Sequence, residues 1–179
     1  MPKNILILST SLRKDSNSDA LAAAFARGAA EAGHHAVMCS LRGKALGFCV
    51  GCLSCQKTKR CVIRDDAPAI VQQMKQADIL VFATPIYYYE MCGQMKTLLD
   101  RANPLYTDDY AFRDVYLLSA AADDAPDADR RAVSGLEGWI ECFEHARLAG
   151  RVFAGGVDAP GSVAGHSALQ EAYTLGKNA

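Results

Sequence analysis

Apolar runs alternate with amphipathic segments along the whole chain, and this alternation predicts the fold. Continuous apolar runs at Asn4–Ser9 and Ile79–Thr84 predict strands that are buried on both faces, as the central strands of a parallel sheet are. A shorter run predicts a strand over Ala36–Ser40, and two further strand candidates lie at Asp114–Ala122 and Arg151–Val157. We therefore expect a five-stranded sheet.

The segments between these strands have the periodicity of helices that bury one face. They cover Ser18–Gly33, Asp66–Ala77, Gly93–Ala102, Asp129–Ala146 and Ser167–Lys177. Repeated β–α units predict an α/β fold with a doubly wound parallel sheet and helices on both faces. No linker or repeat interrupts the pattern, so we expect one domain over residues 1–179, with a cysteine-rich insertion at 49–64.

The composition is that of an ordinary globular protein, with 50% hydrophobic and 22% charged residues and a formal net charge of −1. This balance gives no support for nucleic-acid binding. The apolar run near the amino terminus is too short for a secretory signal or a membrane span. We therefore expect a cytoplasmic protein that binds neither nucleic acid nor membrane.

Ligands of doubly wound proteins bind beyond the carboxyl ends of the strands. Three segments should meet at that edge, namely Ser9–Ser18, Thr84–Gly93 and Ser119–Asp124. The first of them is rich in hydroxyl, amide and guanidinium groups and directly precedes a helix. The candidate ligand-binding residues there are Ser9, Ser11, Arg13, Ser16, Asn17 and Ser18.

Free backbone N–H groups, the helix dipole and side-chain donors together favour binding of a phosphate at this loop. The loop has neither a Gly-Lys-Ser/Thr sequence nor a G-x-G-x-x-G sequence, so a monophosphate fits it better than ATP or a dinucleotide. The alternative is that Ser16 or Ser18 merely caps the helix.

Three consecutive tyrosines end the second buried run. They belong to the sequence Thr84, Pro85, Ile86, Tyr87, Tyr88 and Tyr89. Three adjacent rings cannot all face a core, and exposed rings at a ligand edge suit stacking on a flat heterocycle. The alternative is a subunit interface, and both interpretations can hold together.

Four cysteines with the spacing Cys-x2-Cys-x2-Cys-x5-Cys form the other candidate site: Cys49, Cys52, Cys55 and Cys61. Three cysteines at intervals of three resemble ferredoxin ligation of an iron–sulfur cluster. Zinc and a metal-free thiol cluster remain as alternatives. The basic residues nearby are either counter-charges for a thiolate-bound cluster or a solvated face; they are Lys57, Lys59, Arg60 and Arg64.

Taken together, these motifs resemble a known family. The Ser9–Ser18 loop resembles the phosphate loop of NADPH-dependent FMN reductases in the flavodoxin-like superfamily. Pro85–Tyr88, followed by Gly93–Arg101, is similar to that family's second flavin-contacting segment, and the carboxyl-terminal stretch from Gly150 to Lys177 is similar as well. The cysteine run, followed by Asp65 and Asp66, resembles the iron–sulfur flavoprotein branch.

The resemblance implies strand order 2-1-3-4-5, FMN held by its phosphate in the Ser9–Ser18 loop, and an isoalloxazine over Pro85–Tyr88. The third segment at the same edge adds Ser119, Ala120 and Ala121 as candidate flavin contacts. The resemblance to this family also implies a homodimer or a higher homo-oligomer. We further predict that the four cysteines ligate one [4Fe–4S] cluster near the flavin.

We therefore expect an FMN oxidoreductase that takes electrons from NAD(P)H and passes them to a quinone, free flavin or a redox protein such as ferredoxin. The flavin carries this chemistry, so no catalytic side chain is assigned. The alternatives are a flavodoxin-type electron carrier without turnover of its own and a scaffold without flavin.

Overall fold

The computed structural model describes all 179 residues. The strands are β1 (Asn4–Ser9), β2 (His35–Ser40), β3 (Ile79–Tyr87), β4 (Glu90–Met91), β5 (Asp114–Ala120) and β6 (Arg147–Ala154). The helices are α1 (Asn17–Glu31), α2 (Ser54–Thr58), α3 (Ala67–Gln76), α4 (Gly93–Arg101), α5 (Arg130–Ile140) and α6 (Ser167–Lys177). A 3₁₀ helix covers Asn103–Thr107, and no helix has the length and apolar character needed to cross a membrane.

The main sheet has the order β2-β1-β3-β5-β6, and every pair in it is parallel. The two-residue strand β4 lies off this path and pairs antiparallel with β3. When only the five parallel strands are counted, the order is 2-1-3-4-5. The predicted flavodoxin-like sheet is therefore confirmed, with β4 as an added hairpin.

Side chains of the central strands alternate between two cores, one on each face of the sheet. From β1, Leu6 and Leu8 enter the core that α3, α4 and α5 cover. Ile5 and Ile7 enter the opposite core, which α1 and α6 cover. Burial on both faces explains why the sequence shows this strand as an unbroken apolar run.

Helices α1 and α6 pack so closely that two glycines are needed at their contact. A Cβ on Gly28 would overlap the carbonyl oxygen of Tyr173, and a Cβ on Gly176 would overlap that of Phe25. The two backbones thus touch directly at this crossing. The close contact fixes α1, and with it the loop that precedes α1.

The carboxyl-terminal half differs from the sequence-based prediction in its boundaries. β6 begins at Arg147 rather than at Arg151, because residues from Arg147 onward pair with β5 across a bulge at Val115 and Tyr116. As an edge strand, β6 is only partly buried and lacks a continuous apolar run. The preceding helix ends at Ile140 rather than Ala146, and turns follow it.

Candidate functional site

A cleft opens at the carboxyl edge of the sheet, where the three expected segments meet. It encloses about 140 Å³. From the expected residues it is lined by Ser11, Arg13, Ser16, Asn17, Ser18, Pro85, Ile86, Tyr87, Ala120 and Ala121. Ala122 also lines it and belongs to the predicted Ser119–Asp124 segment, whereas Val157 and Asp158 line it and were missed in the sequence.

The positions of Val157 and Asp158 in the cleft could have been predicted from the sequence. Val157 and Asp158 follow β6, and the carboxyl end of that strand reaches the same edge as β1, β3 and β5. The strand predicted over Arg151–Val157 ended three residues beyond the observed end of β6, so the loop that follows it was placed too far along the chain. Applying the edge rule to all five strands with the correct end at Ala154 would have included it.

Ser16 is the N-cap of α1, and its hydroxyl also borders the cleft. Its Oγ accepts a hydrogen bond from the Asp19 N–H at 3.1 Å and lies 3.4 Å from Ser18 Oγ, where either hydroxyl can be the donor. One hydroxyl hydrogen of the Ser16–Ser18 pair is therefore left for a ligand. Ser11 Oγ accepts from the Arg13 N–H at 3.2 Å, so its hydroxyl hydrogen remains available. The capping and anion-binding interpretations of Ser16 are therefore compatible.

Arg13 and Asn17 tie this loop to the segment after β6. Arg13 Nη1 donates to the Asp158 carbonyl at 2.7 Å, and Asn17 Nδ2 donates to the Ala159 carbonyl at 3.0 Å. Asn17 Oδ1 in turn accepts from the Val163 N–H at 3.2 Å. The Asn17 amide is thus occupied within the fold, whereas the Arg13 guanidinium retains free N–H groups.

Three of the expected residues lie behind the cleft rather than in its wall: Ser9, Thr84 and Ser119. All three are buried. Ser9 Oγ donates to the Asp19 carboxylate, and Ser119 Oγ donates to Asp129. Thr84 Oγ1 accepts from the Cys92 N–H at 3.2 Å and donates to the Pro85 carbonyl at 3.0 Å. Their hydroxyls support the edge of the sheet.

The tyrosines form a hairpin between β3 and β4. Tyr87 pairs with Glu90 across it, and Tyr88 and Tyr89 occupy the turn with φ of 50° and 66°. Such left-handed backbone is unfavourable for residues that carry a Cβ. Tyr88 is nonetheless 97% exposed, so no packing of its ring compensates within the chain.

Tyr89 is held by charged neighbours from the next loop and helix. The neighbouring Asp123 carboxylate is the first cause that raises the pKa of Tyr89. Its ring centroid also lies 5.9 Å from the Arg131 guanidinium. Tyr88 therefore projects from the tip of the hairpin, and Tyr89 anchors it.

A second and larger cavity, of about 460 Å³, brings the four motif cysteines together. Its wall is mostly apolar and includes residues of α4, the 3₁₀ helix and the end of α5. The thiols that border it are those of Cys49, Cys52, Cys55, Cys61 and Cys142. Cys142, which lies outside the motif, is exposed and lines the same cavity.

The cysteine segment comprises residues 45–66. Its backbone bends sharply at three positions: Gly51, Leu53 and Lys59. They have φ of 66°, 56° and 57°. The two non-glycine residues flank α2, which carries Cys55. Strained backbone of this kind persists only where the surrounding structure determines it, and it is concentrated at functional sites.

Polar donors surround two of the thiols. Asn103 Nδ2 donates to Cys55 Sγ at 3.1 Å. The neighbouring backbone and side chain of Ser54 lower the pKa of Cys52. Such donors stabilise negative charge on sulfur. No three of the Cys, His, Asp or Glu side chains converge closely enough to hold a metal ion, so the thiols border the cavity without meeting at one point.

The ends of the cysteine segment meet at its base. The Asp66 N–H donates to the Ala45 carbonyl at 3.0 Å, and the Ala45 N–H donates to Asp66 Oδ2 at 2.7 Å. The segment therefore leaves the fold and returns to it at one place.

Helix α4 connects the two cavities. Before its first residue, Cys92 lies behind the cleft and its Sγ donates to Thr10 Oγ1 at 3.2 Å. At its other end, Leu99 and Asp100 line the cysteine cavity. Nine helical residues span about 13 Å. The two candidate sites are therefore joined by one short rigid element.

The parallel sheet of order 2-1-3-4-5, with a hydroxyl-rich loop before α1 and an aromatic strand end beside it, defines a flavodoxin-like protein. Residues 3–170 match the family described as NADPH-dependent FMN reductase. The chain belongs to this family.

Curated relatives include iron–sulfur flavoproteins of archaea. One from Methanocaldococcus jannaschii is 34% identical over 101 residues, which are 56% of this chain and 52% of the relative. Another, from Methanosarcina thermophila, is 29% identical over 106 residues, which are 59% of this chain and 56% of the relative. The chain thus matches these relatives over about half of their length.

Solved structures with the same fold cover nearly the whole chain. An NAD(P)H:quinone oxidoreductase from Methanothermobacter marburgensis superposes with a TM-score of 0.73 at 17% identity, over 99% of this chain and 97% of the other. An azoreductase from Bacillus anthracis superposes with a TM-score of 0.71 at 17% identity, over 100% of both chains. At this identity the likeness establishes the fold.

Proposed function

We propose that the protein is an FMN-dependent NAD(P)H oxidoreductase. The observation that carries the proposal is the cleft at the sheet edge, where anion donors and an aromatic side chain face each other. Membership of the NADPH-dependent FMN reductase family supports the same function. When bound, the flavin accepts electrons from the nicotinamide and passes them on, and the protein positions it and excludes other reactions.

The chain's residues fit a flavin phosphate at one end of the cleft. The unpaired N–H groups of the first turn of α1 attract an anion, and the Ser11 and Ser16 hydroxyls add donors. Arg13 contributes a positive charge at the rim. Asp158 is the one acidic residue that lines the cleft, and its backbone carbonyl accepts a hydrogen bond from Arg13 Nη1.

The other end fits a flat ring. Pro85, Ile86 and Tyr87 form one wall, and Ala120 and Ala121 form the floor with no bulky side chain. Tyr87 is 49% exposed, so it is free to stack on a heterocycle. We propose that these residues hold the isoalloxazine ring and leave its outer face accessible to the nicotinamide and to an acceptor such as a quinone or free flavin.

We further propose that Cys49, Cys52, Cys55 and Cys61 ligate a [4Fe–4S] cluster. The donor set fits, because four thiols border one apolar cavity and Asn103 donates to one of them. The spacing Cys-x2-Cys-x2-Cys resembles ferredoxin ligation, and this favours a cluster over zinc. When bound, the cluster would let one-electron partners such as ferredoxin exchange electrons with the flavin.

We propose a homodimer or higher homo-oligomer, supported by the exposed rings of the hairpin. Tyr88 and half of Tyr89 stay in contact with solvent in the single chain. Burying them against a second chain would compensate the unfavourable turn. A mass near 19.2 kDa by light scattering at micromolar concentration contradicts this proposal.

The test of the flavin site is incubation with FMN followed by desalting and a visible spectrum. We expect a yellow protein that oxidises NADH or NADPH in the presence of a quinone. A colourless protein overturns the proposal. A yellow protein without steady-state turnover identifies an electron carrier instead of an oxidoreductase.

The test of the cluster is anaerobic reconstitution followed by iron and acid-labile sulfide analysis. We expect iron and sulfide in the wild type, a loss of both in Cys52→Ala, and unchanged content in the control Cys39→Ala, whose thiol lies in β2 away from the cavity. The absence of iron in the reconstituted wild type rules the cluster out and leaves the flavin site to be judged separately.

A further inference from the structure

Arg101, the last residue of α4, is a charged side chain with no solvent exposure. Its guanidinium forms two ion-pair bonds with the Asp65 carboxylate, at 2.6 and 2.8 Å. Nη1 also donates to the Gly47 carbonyl at 2.7 Å, and Nη2 donates to the Ile63 carbonyl at 3.4 Å. All four of these contacts are made to the cysteine segment.

These contacts close the segment from both sides. Gly47 precedes the first motif cysteine, and Asp65 follows the last one. Asp65 additionally accepts from the Gly47 N–H at 2.8 Å and from the Ala67 N–H at 3.0 Å. One buried ion pair thus joins the entry and the exit of the segment to the end of a core helix.

One donor of Arg101 remains unused. Its Nε is the one buried side-chain nitrogen or oxygen in the protein without a hydrogen-bond partner. An unpaired buried donor is unfavourable and calls for an explanation. Cys61 lies beside this guanidinium: both residues line a further cavity of about 370 Å³, and Cys61 also borders the cavity of the four thiols.

The electrostatics agree with this placement. Asp65 is the first cause that raises the pKa of Arg101, and the neighbouring Cys61 adds to the effect. The guanidinium is charged at every physiological pH, and its surroundings favour an anion. A thiolate-bound cluster is such an anion. Hydrogen bonds to its sulfurs and nearby charges also set its reduction potential.

We propose that Arg101 is the positioning residue of the cysteine site: it holds the segment closed and directs a buried positive charge and an unpaired N–H toward the group that the thiols bind. The closing role depends only on the observed contacts. The role toward the bound group rests on the cluster in the proposed function. The two roles are therefore tested separately.

The closing role is tested by hydrogen exchange in protein without iron. The double variant Arg101→Met with Asp65→Leu removes both charges, and such a replacement of a buried pair preserves folding in other proteins. Lys96→Met is the matched control, because it removes an exposed charge from the same helix. We expect faster exchange over residues 47–67 in the double variant and wild-type exchange in the control. Equal exchange in both variants overturns the closing role.

The second role is tested on protein reconstituted with iron and sulfide. Loss of supporting contacts around a metal site commonly lowers affinity about 10- to 100-fold, and we expect a loss of that size in the double variant. The double variant loses one positive and one negative charge, so its net charge equals that of the wild type. A change in midpoint potential then reports the loss of the Arg101 Nε–H donor near the thiolates, and losing such a donor should make the potential more negative. Arg101→Lys keeps the ion pair without the fork of donors, and its affinity and potential should lie between those of the wild type and the double variant.

The outcomes separate this inference from the proposed function. If the reconstituted wild type holds iron but the potential and affinity of the double variant equal those of Lys96→Met, the role of Arg101 toward the cluster is refuted. If the wild type holds no iron, the proposed cluster fails and takes that role with it. The exchange measurement still decides the closing role. FMN content should match the wild type in every variant.

Discussion

Ser119 Oγ donates a hydrogen bond of 2.7 Å to Asp129, a carboxylate with no solvent exposure. The other oxygen of Asp129 accepts from Arg151 Nη1 at 2.9 Å. The Ser119 hydroxyl is therefore committed to a buried network that joins β5 to the start of α5. A residue at the ligand edge can support that edge from below without facing a ligand.

Ser119→Ala should accordingly destabilise the fold more than it weakens FMN binding. Leaving Asp129 with one partner fewer costs about 1–3 kcal/mol. We expect this loss in urea unfolding, with an FMN dissociation constant close to that of the wild type. A large loss of FMN affinity with unchanged stability contradicts the assignment.

Ser11→Ala should weaken FMN binding more than it destabilises the fold. Its hydroxyl lines the cleft, and a hydrogen bond to a charged acceptor is worth about 1.5–3 kcal/mol. We expect the FMN dissociation constant to rise about 10- to 150-fold. Ser134→Ala, on the exposed face of α5, is the control and should bind FMN as the wild type does. Ser16→Ala should combine both effects, because it also removes an N-cap worth about 1 kcal/mol.

Replacing Tyr88 with Gly should stabilise the hairpin of the single chain. The Tyr88 ring is 97% exposed, so little packing is lost, and relief of left-handed strain is worth about 1–2 kcal/mol. If the rings form a subunit contact, light scattering should also show dissociation. A variant that is less stable at a concentration where wild type and variant are both monomeric contradicts the strain argument.

Gly28→Ala and Gly176→Ala should each be strongly destabilising, because the added Cβ would meet backbone atoms that have no room to move. Overpacking commonly costs about 1–3 kcal/mol. Gly138→Ala, on α5 with open space around it, should instead stabilise by about 1 kcal/mol through helix propensity. Thermal unfolding of the three variants tests the contrast.

Asp65 predicts a dependence of stability on pH. The side-chain hydrogen bond with Arg101 is the first cause that lowers the pKa of Asp65 below 3.8. A lowered carboxyl pKa contributes stability above the unfolded value and loses it as pH falls through the folded value. The difference in unfolding free energy between wild type and Asp65→Asn should therefore be largest above about pH 5 and shrink toward pH 2, as measured by urea titration.

The sheet was predictable because its signals are local and strong. β1 and β3 are apolar runs buried on both faces, and the serine loop directly follows β1. β6 was less predictable, since it is an edge strand with a bulge and few buried side chains. Its exposed pattern resembles a loop, and the cleft residues after it were lost with its boundary.

The shape of the cysteine segment could not be read from the spacing of its thiols. Its closure depends on Arg101, which is 36 residues from Asp65 in sequence. Leu53 and Lys59 adopt left-handed backbone although neither residue type favours it. Likewise, Cys142 reaches the cavity through the turns that follow α5. Each of these features arises from tertiary contacts between distant parts of the chain.

The two hydrogen bonds between Ala45 and Asp66 give the protein a modular construction. Since the chain enters and leaves the cysteine segment at one point, the intervening residues can be regarded as an appendage on a conventional flavin fold. A short glycine-containing turn in their place would leave every strand of the sheet intact. If the thiols bind the proposed cluster, gain or loss of that group requires only an exchange of this one excursion, together with the helix-end arginine that secures it.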